Sequence, residues 1–238
     1  MFSHLIFVGA GGTGGYLFAP LLRFLSYNDS SFRRVTLVDG DHFDEGNLTR
    51  QICGPADVGK GKASVLADSI RPFADVRGVD IRTHEDFLNS DNINEIDEDL
   101  ASTLWVLAVD NHATRKLTLD HFEQRLADPM PCLWISPGNS DGTDFAHTRG
   151  TVHWWGKIRQ QAFGMDPRLT TPNIATPIDD IPQRGSCANH APSAPQLITA
   201  NLSAAAHTLN IITGIVTGQM PHQLSSLDFT LTDTLLLA

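Results

Sequence analysis

Apolar residues occur along this chain in short unbroken runs, and between the runs they recur every three or four positions. Leu5-Ile6-Phe7-Val8 is one such run, closed by Gly9, and it predicts a buried strand. From Gly12 to about Ser26, Leu17, Leu21, Leu22 and Leu25 share one side at helical spacing, and Asn28-Asp29-Ser30-Ser31 marks a loop. Arg34 to Val38 predicts a second strand. Lys62 to Arg71 carries the stripe Val65, Leu66 and Ile70, and is expected to stop at Pro72, because the residue before a proline leaves the helical region. Val76 to Arg82 alternates as a strand does.

Asn92 to Leu100 predicts a short acidic helix. Leu104-Trp105-Val106-Leu107-Ala108 is apolar throughout, as a strand in the centre of a sheet must be. It ends at Val109-Asp110, and Asn111 is placed to cap a helix continuing to about Leu126. Cys132 to Ser136 is the next strand, closed by Pro137-Gly138. Strands alternating with helices predict an α/β fold: a Rossmann-like, mostly parallel sheet with helices on both faces.

After residue 140 the rhythm changes. Thr148 to Trp155 predicts a strand in a different region of sheet, with Trp154 and Trp155 in core packing. Gln160 to Pro195 is rich in Pro, Thr, Asn and Gly and predicts a long connection, and connections of that length inside a domain are often functional. Leu197 to about Ile215 predicts a helix of small and apolar residues, and Leu227 to Leu237 a terminal strand or hairpin. The chain shows no internal repeat and no low-complexity tract.

The 238 residues suit a single α/β domain, and 41% hydrophobic against 18% charged residues supply a sizeable core. The formal net charge of −10 argues against nucleic-acid binding, which needs clustered Lys and Arg. Cys53, Cys132 and Cys187 are three and far apart, so no disulfide framework is expected and a reducing cytoplasm is the default. No Cys-x-x-Cys pair occurs, and neither a signal peptide nor a membrane-spanning segment is read from the sequence.

The chemistry concentrates between residues 9 and 62. Gly9-Ala10-Gly11-Gly12-Thr13-Gly14 follows the first strand and opens a helix, where glycines let a ligand approach the backbone and free N–H groups attract an anion. Asp39, at the end of the second strand, is placed to accept hydrogen bonds from ribose hydroxyls, and Asp41 orders the loop beyond it. A dinucleotide site holds one pyrophosphate. Asn47, Arg50, Gln51 and Lys62 just past the second strand point instead to a triphosphate, gripped by a guanidinium fork and an ammonium. Lys60 reads as a solvated neighbour. Asp110 ends the central strand at the carboxyl edge, where one carboxylate plus phosphate oxygens and waters suits Mg²⁺; capping of the next helix is its other reading. Arg115 follows on that helix and is expected to pair with an acidic neighbour.

These residues resemble the ThiF/MoeB/HesA family, the prokaryotic relatives of ubiquitin-activating enzymes. The pattern falls on Gly9, Gly11, Gly12 and Gly14, on Asp39 and Asp41, on Asn47 with Arg50 and Gln51, on Lys62, and on Asp110 with Asn111. The resemblance implies that Asp39 holds ribose, that Asn47, Arg50 and Lys62 hold phosphates, and that Asp110 holds Mg²⁺. It implies an adenylyltransferase that joins AMP from ATP to the C-terminal carboxylate of a small ubiquitin-like, β-grasp protein ending in glycine, and association as a homodimer. It also places Cys187 in a crossover loop, where such a cysteine in some members links covalently to the activated partner; His190 is near enough in sequence to lower its pKa. Cys53 and Cys132 are expected to be buried small hydrophobes.

On this reading residues 1–238 form a single adenylation domain: a nucleotide-binding core over 1–140, a crossover loop over about 157–195, and a C-terminal helix and antiparallel strands over 196–238. Two family features are missing, the paired Cys-x-x-Cys zinc motif and an arginine supplied by an N-terminal helix, so no structural zinc is expected. The competing readings are an NAD-dependent oxidoreductase, a relative that adenylates a non-protein carboxylate, and a scaffold without catalysis.

Overall fold

A computed structural model of the chain describes residues 1–97, 102–139, 147–158, 161–183 and 197–231. Five strands run parallel: β1 (His4–Val8), β2 (Arg34–Val38), β3 (Asp80–His84), β4 (Thr103–Leu107) and β5 (Cys132–Asn139). Three antiparallel strands extend the same sheet: β6 (Arg149–Ile158), β7 (Gln161–Gly164) and β8 (Ser226–Thr230). The strand order is β3-β2-β1-β4-β5-β6-β7, with β8 also paired to β6. The α/β class, the mostly parallel sheet and the C-terminal antiparallel extension are therefore as the sequence implies.

Strand side chains alternate between two cores. Leu5 and Phe7 face one, with α1 (Gly12–Asn28), α2 (Lys62–Arg77) and α6 (Ile198–Val216) packed over them through Leu17, Leu21, Leu66, Ile70, Ala204 and Ile212. Ile6 and Val8 face the other, with Trp105, Trp134 and the Leu119 and Phe122 side of α4 (His112–Arg125). Two four-residue helices, α3 (Ile93–Ile96) and α5 (Pro172–Ala175), add Ile93, Ile96 and Ile174 to this second core. No helix among the described residues is long and apolar enough to cross a membrane.

Proline is where local rules fail. The second helix does not stop at Pro72 but continues to Arg77, and ends where Gly78 takes φ +66°. Burial of Ala74 on the core side, two residues beyond the proline, outweighs the missing amide hydrogen bond. Val76 is consequently an exposed helical residue, and β3 starts at Asp80 rather than Val76. Pro20 sits inside α1 in the same way. Pro137 lies within β5, paired with Val152, so the strand outlasts the expected end at Ser136.

The segment read as one long connection contains β7, a 3₁₀ turn at Pro167–Leu169 and α5. The segment read as a strand in a separate region is β6, a full member of the main sheet. Trp154 on it is fully buried, and Trp155 packs against Phe122 with ring centroids 5.8 Å apart. The expected acidic helix is confined to Ile93–Ile96 among the described residues.

Candidate functional site

The carboxyl ends of β1, β2 and β4 converge at the glycine turn. Gly9 has φ +97°, and a Cβ there would lie 2.5 Å from the carbonyl oxygen of Ala108. A Cβ on Gly14 would lie 1.9 Å from the carbonyl oxygen of Gly9. The turn is thus pressed against the end of β4 in a shape that only glycine permits. Helix α1 starts directly from it, with Gly11 at the N-cap and no side chain capping it. Its first N–H groups and the positive end of its dipole face the carboxyl edge of the sheet.

Asp39 joins two parts of this edge. Its Oδ2 accepts from the Ala10 N–H at 2.6 Å and its Oδ1 from the Asp41 N–H at 2.9 Å. Burial drives its carboxyl above the ordinary aspartate value, against the pull of those N–H groups and of Lys62. Each carboxylate oxygen accepts more than one hydrogen bond, so ribose hydroxyls have acceptors left.

Lys62 and Asp41 are paired, Nζ to Oδ2 at 2.7 Å, and the Lys62 N–H also donates to the Asp41 carbonyl at 2.9 Å. Lys62 Nζ lies 5.9 Å from the centre of the Phe43 ring. The lysine side chain is buried and the carboxylate is open to water. Asp41 therefore does more than shape its own loop: it holds the cation beside the turn. Lys60 is exposed and meets Asp57 at 3.3 Å, the solvated role expected of it.

Asn47 is buried inside the loop beyond β2. Its side-chain oxygen accepts from the Asp44 N–H and the Asp44 carboxylate accepts from the Asn47 N–H, a reciprocal cap on the turn Glu45–Thr49. This structural duty accounts for the Asn47 oxygen and leaves only its amide nitrogen for a ligand. Arg50 follows at the end of that turn, half-buried. Gln51 reaches the glycine turn itself: its Nε2 would be 4.0 Å from a Cβ on Gly11, and its buried Oε1 has no hydrogen-bond partner.

Asp110 stands exposed just past β4, as its place at the strand end requires. Asn111 caps α4, its side-chain oxygen accepting from the Thr114 N–H at 2.8 Å. Arg115 does not simply pair with an acid. Buried beneath this corner, it donates to the Val109 carbonyl at 2.6 Å, the Ser136 hydroxyl at 3.1 Å and the Pro137 carbonyl at 3.3 Å, and meets His112 Nδ1 at 3.2 Å. Its guanidinium ties the ends of β4 and β5 together, and burial lowers its pKa. The Asp179 carboxylate accepts from the N–H groups of His112 and Ala113 at 2.7 and 2.9 Å, closing the start of α4. Burial, with Arg115 nearby, lowers the pKa of His112.

Sequence reasoning passed over Asp179, the anchoring role of Arg115, and Asn201. Asn201 on α6 is buried against Gly12 at the turn. The one available signal was a polar residue on the small-residue face of an otherwise apolar helix. Cys187 and His190 lie outside the described residues. Cys132 is buried, as expected, and burial pushes its thiol up to about 11, an unreactive state. Cys53 is only half-buried, contrary to expectation. It lines a cavity of about 340 Å³ with Gln51, Ile52, Val65 and Leu66, because the loop carrying it lies over α2 and not beneath it. Among the described residues no group of three or more His, Cys, Asp or Glu is arranged to hold a metal ion.

Comparison with known proteins gives the family and the fold. A family model described as the ThiF family matches residues 2–231. Solved structures of the same fold include PaaA, with a TM-score of 0.61 and 18% identity over 97% of this chain and 61% of that one. Escherichia coli MccB with MccA matches at a TM-score of 0.59 and 14% identity, over 96% of this chain and 60% of that one. The structure of E. coli MccB with ATP matches at 0.57 and 14%, over 96% and 64%. Likeness at these identities speaks to the fold, and the chain spans about three-fifths of the length of the structures it matches.

Proposed function

This chain belongs to the ThiF family, and from that premise we propose that it is an ATP-dependent adenylyltransferase acting on a C-terminal carboxylate. The observation that carries the reading is the buried ammonium of Lys62, held by a solvent-exposed carboxylate and within electrostatic reach of Asp39, which is itself hydrogen-bonded to the glycine turn. A buried cation in this place suits a polyanion, and a triphosphate calls for it more than the single pyrophosphate of a dinucleotide does.

In this scheme Asp39 takes the ribose hydroxyls and the glycine turn takes the phosphates at the start of α1. Lys62 leaves Asp41 for the β- and γ-phosphates, with Arg50 and the Asn47 amide beside it. Asp110, a single exposed carboxylate at the strand end, fits a Mg²⁺ ion that completes its shell with phosphate oxygens and water, and the ion would supply further neutralisation of charge. The substrate carboxylate attacks the α-phosphorus and pyrophosphate departs, giving an acyl-adenylate. Positive side chains and backbone donors offset the repulsion between the two anions, and the turn keeps them in line.

The MccA bound to MccB in solved structures supports a peptide or small protein as the source of the carboxylate. A ubiquitin-like protein ending in glycine is the partner we assign, with transfer to Cys187 as the following step and a homodimer as the working form. Purified protein should exchange labelled pyrophosphate into ATP when a protein or peptide ending in Gly-Gly is added with Mg²⁺. Titration with ATP and Mg²⁺ should release heat and titration with NAD should not. Binding of NAD without ATP would refute the assignment.

A further inference from the structure

One side of the glycine turn is closed by a side chain that the scheme above leaves idle. Asn201 lies in the first turn of α6 and is 1% exposed. Its Oδ1 accepts from Thr13 Oγ1 at 3.1 Å and from Asn139 Nδ2 at 3.0 Å. In this arrangement both contacts fall on the oxygen, and the nitrogen is turned away from them. The opposite end, Nδ2, is buried and has no hydrogen-bond partner. It faces Gly12, the first residue of α1: a Cβ built there would stand 2.3 Å from Nδ2.

Folded proteins leave few buried donors unsatisfied, and each is costly, so this one calls for an acceptor. The spot it faces is the start of a 17-residue helix with no side-chain cap, which attracts an anionic oxygen. The sheet order says which oxygen. Asp39 follows β2 and Asn139 ends β5, while β1 and β4 lie between those strands. A nucleotide whose ribose rests on Asp39 therefore crosses the turn toward Asn201, and the first phosphoryl group it presents there is the one bonded to the ribose.

We propose that Asn201 Nδ2 donates a hydrogen bond to a non-bridging oxygen of the α-phosphoryl group, so that α6 supplies a ligand to the phosphorus under attack. The inference rests on the nucleotide reading above. On that footing Gly12 lacks a side chain because the carboxamide must come this close, and Thr13 and Asn139 serve to aim it. The donor meets the oxygen on which charge builds as the carboxylate adds, where a fixed dipole is most effective.

Calorimetric titration of AMP and of adenosine into the full chain separates this role from packing, since the two ligands differ only by the phosphoryl group. In Asn201→Ala, AMP should bind about tenfold or more weakly, the loss of a hydrogen bond to a charged group, while adenosine binding stays unchanged. Asn201→Asp keeps the volume and replaces the donor with an acceptor, so it should lose AMP more completely and still bind adenosine. Equal weakening of both ligands, or no change in either, would overturn the proposal and leave Asn201 as a packing residue. If Asn201→Ala does not fold, the AMP-to-adenosine ratio of Asn201→Asp decides. Wild-type protein that binds neither ligand overturns the nucleotide reading, and this inference with it.

Discussion

Lys62 Nζ sits 2.7 Å from Asp41 Oδ2, with 8% of the lysine side chain exposed and 41% of the aspartate. The two residues are 21 positions apart and meet because the loop between them folds back, pinned by the bridge between His42 and Gly61 and by the Lys62 N–H on the Asp41 carbonyl. The buried member is the cation, and the partner that neutralises it is the one in water. Such a pair holds the buried ammonium in place until an anionic ligand takes over its charge, and the exposed carboxylate is then solvated by water.

Replacement of Lys62 by Met should therefore weaken ATP by about 10- to 100-fold and AMP far less, because a charge-assisted contact to the outer phosphates disappears. Asp41→Asn should have the opposite sign, tightening ATP by up to about fivefold as the competing carboxylate is removed. Calorimetry on the two variants checks both, and a loss of ATP affinity in Asp41→Asn would show that the carboxylate positions the ammonium and does not compete with the nucleotide for it.

The Asp39 carboxyl is raised above its ordinary value of 3.8, chiefly by burial. A raised carboxyl binds its proton more tightly folded than unfolded. Its stabilising share is complete below 3.8 and is lost as pH climbs through the folded value. The stability difference between wild type and Asp39→Ala should accordingly narrow as pH rises from ~4 to ~7. Urea denaturation across that range measures it, and a difference that widens with pH contradicts the burial argument.

Two glycines of the turn should respond differently to alanine. At Gly12 the new methyl meets the Asn201 side-chain nitrogen at 2.3 Å, and at Gly14 it meets the Gly9 carbonyl oxygen at 1.9 Å. Gly12→Ala should cost about 1–3 kcal/mol, and Asn201→Ala in the same chain should restore part of it, with a coupling of about 0.5–3 kcal/mol. Gly14→Ala should cost more and gain nothing from Asn201→Ala, because backbone cannot step aside. A double-mutant cycle in urea would expose the error if both glycines couple alike.

Arg115→Met should destabilise the fold by about 2–4 kcal/mol, since the Val109 and Pro137 carbonyls and the Ser136 hydroxyl lose their donor in a buried setting. Lysine in its place keeps the charge without the planar fork and should recover a minor part. Equilibrium unfolding of the two variants tests this, and a methionine variant as stable as wild type would show that water replaces the guanidinium.

Much of the fold lies open to a reader of the chain. Leu5-Ile6-Phe7-Val8 and Leu104-Trp105-Val106-Leu107 are strands in the sheet centre, and Asn111 caps α4, each as the local pattern implies. Two of the misreadings fall on prolines: Pro72 and Pro137 sit inside elements that local sterics would have ended, whereas the first helix reads through Pro20 in the sequence and does continue. Burial of Ala74 kept the helix going past Pro72, and pairing with β6 kept the strand going past Pro137; a local rule contains neither term.

The sequence alone determined the class of sheet and marked out the candidate site residues that lie between Gly9 and Lys62. Those residues lie beside two strands and one turn, so short-range pattern and chemistry pick them out as candidates. Tertiary structure alone decided the rest: that Asp41 meets Lys62, that Arg115 reaches the ends of β4 and β5, that Asp179 closes α4 from 67 residues away, and that Asn201 lies against Gly12 and Thr13, the latter 188 residues distant. These contacts depend on how the loop after β2, α4, α6 and the segment after β7 pack over a completed sheet. Packing follows from the summed burial of both cores, and no short stretch of chain encodes it.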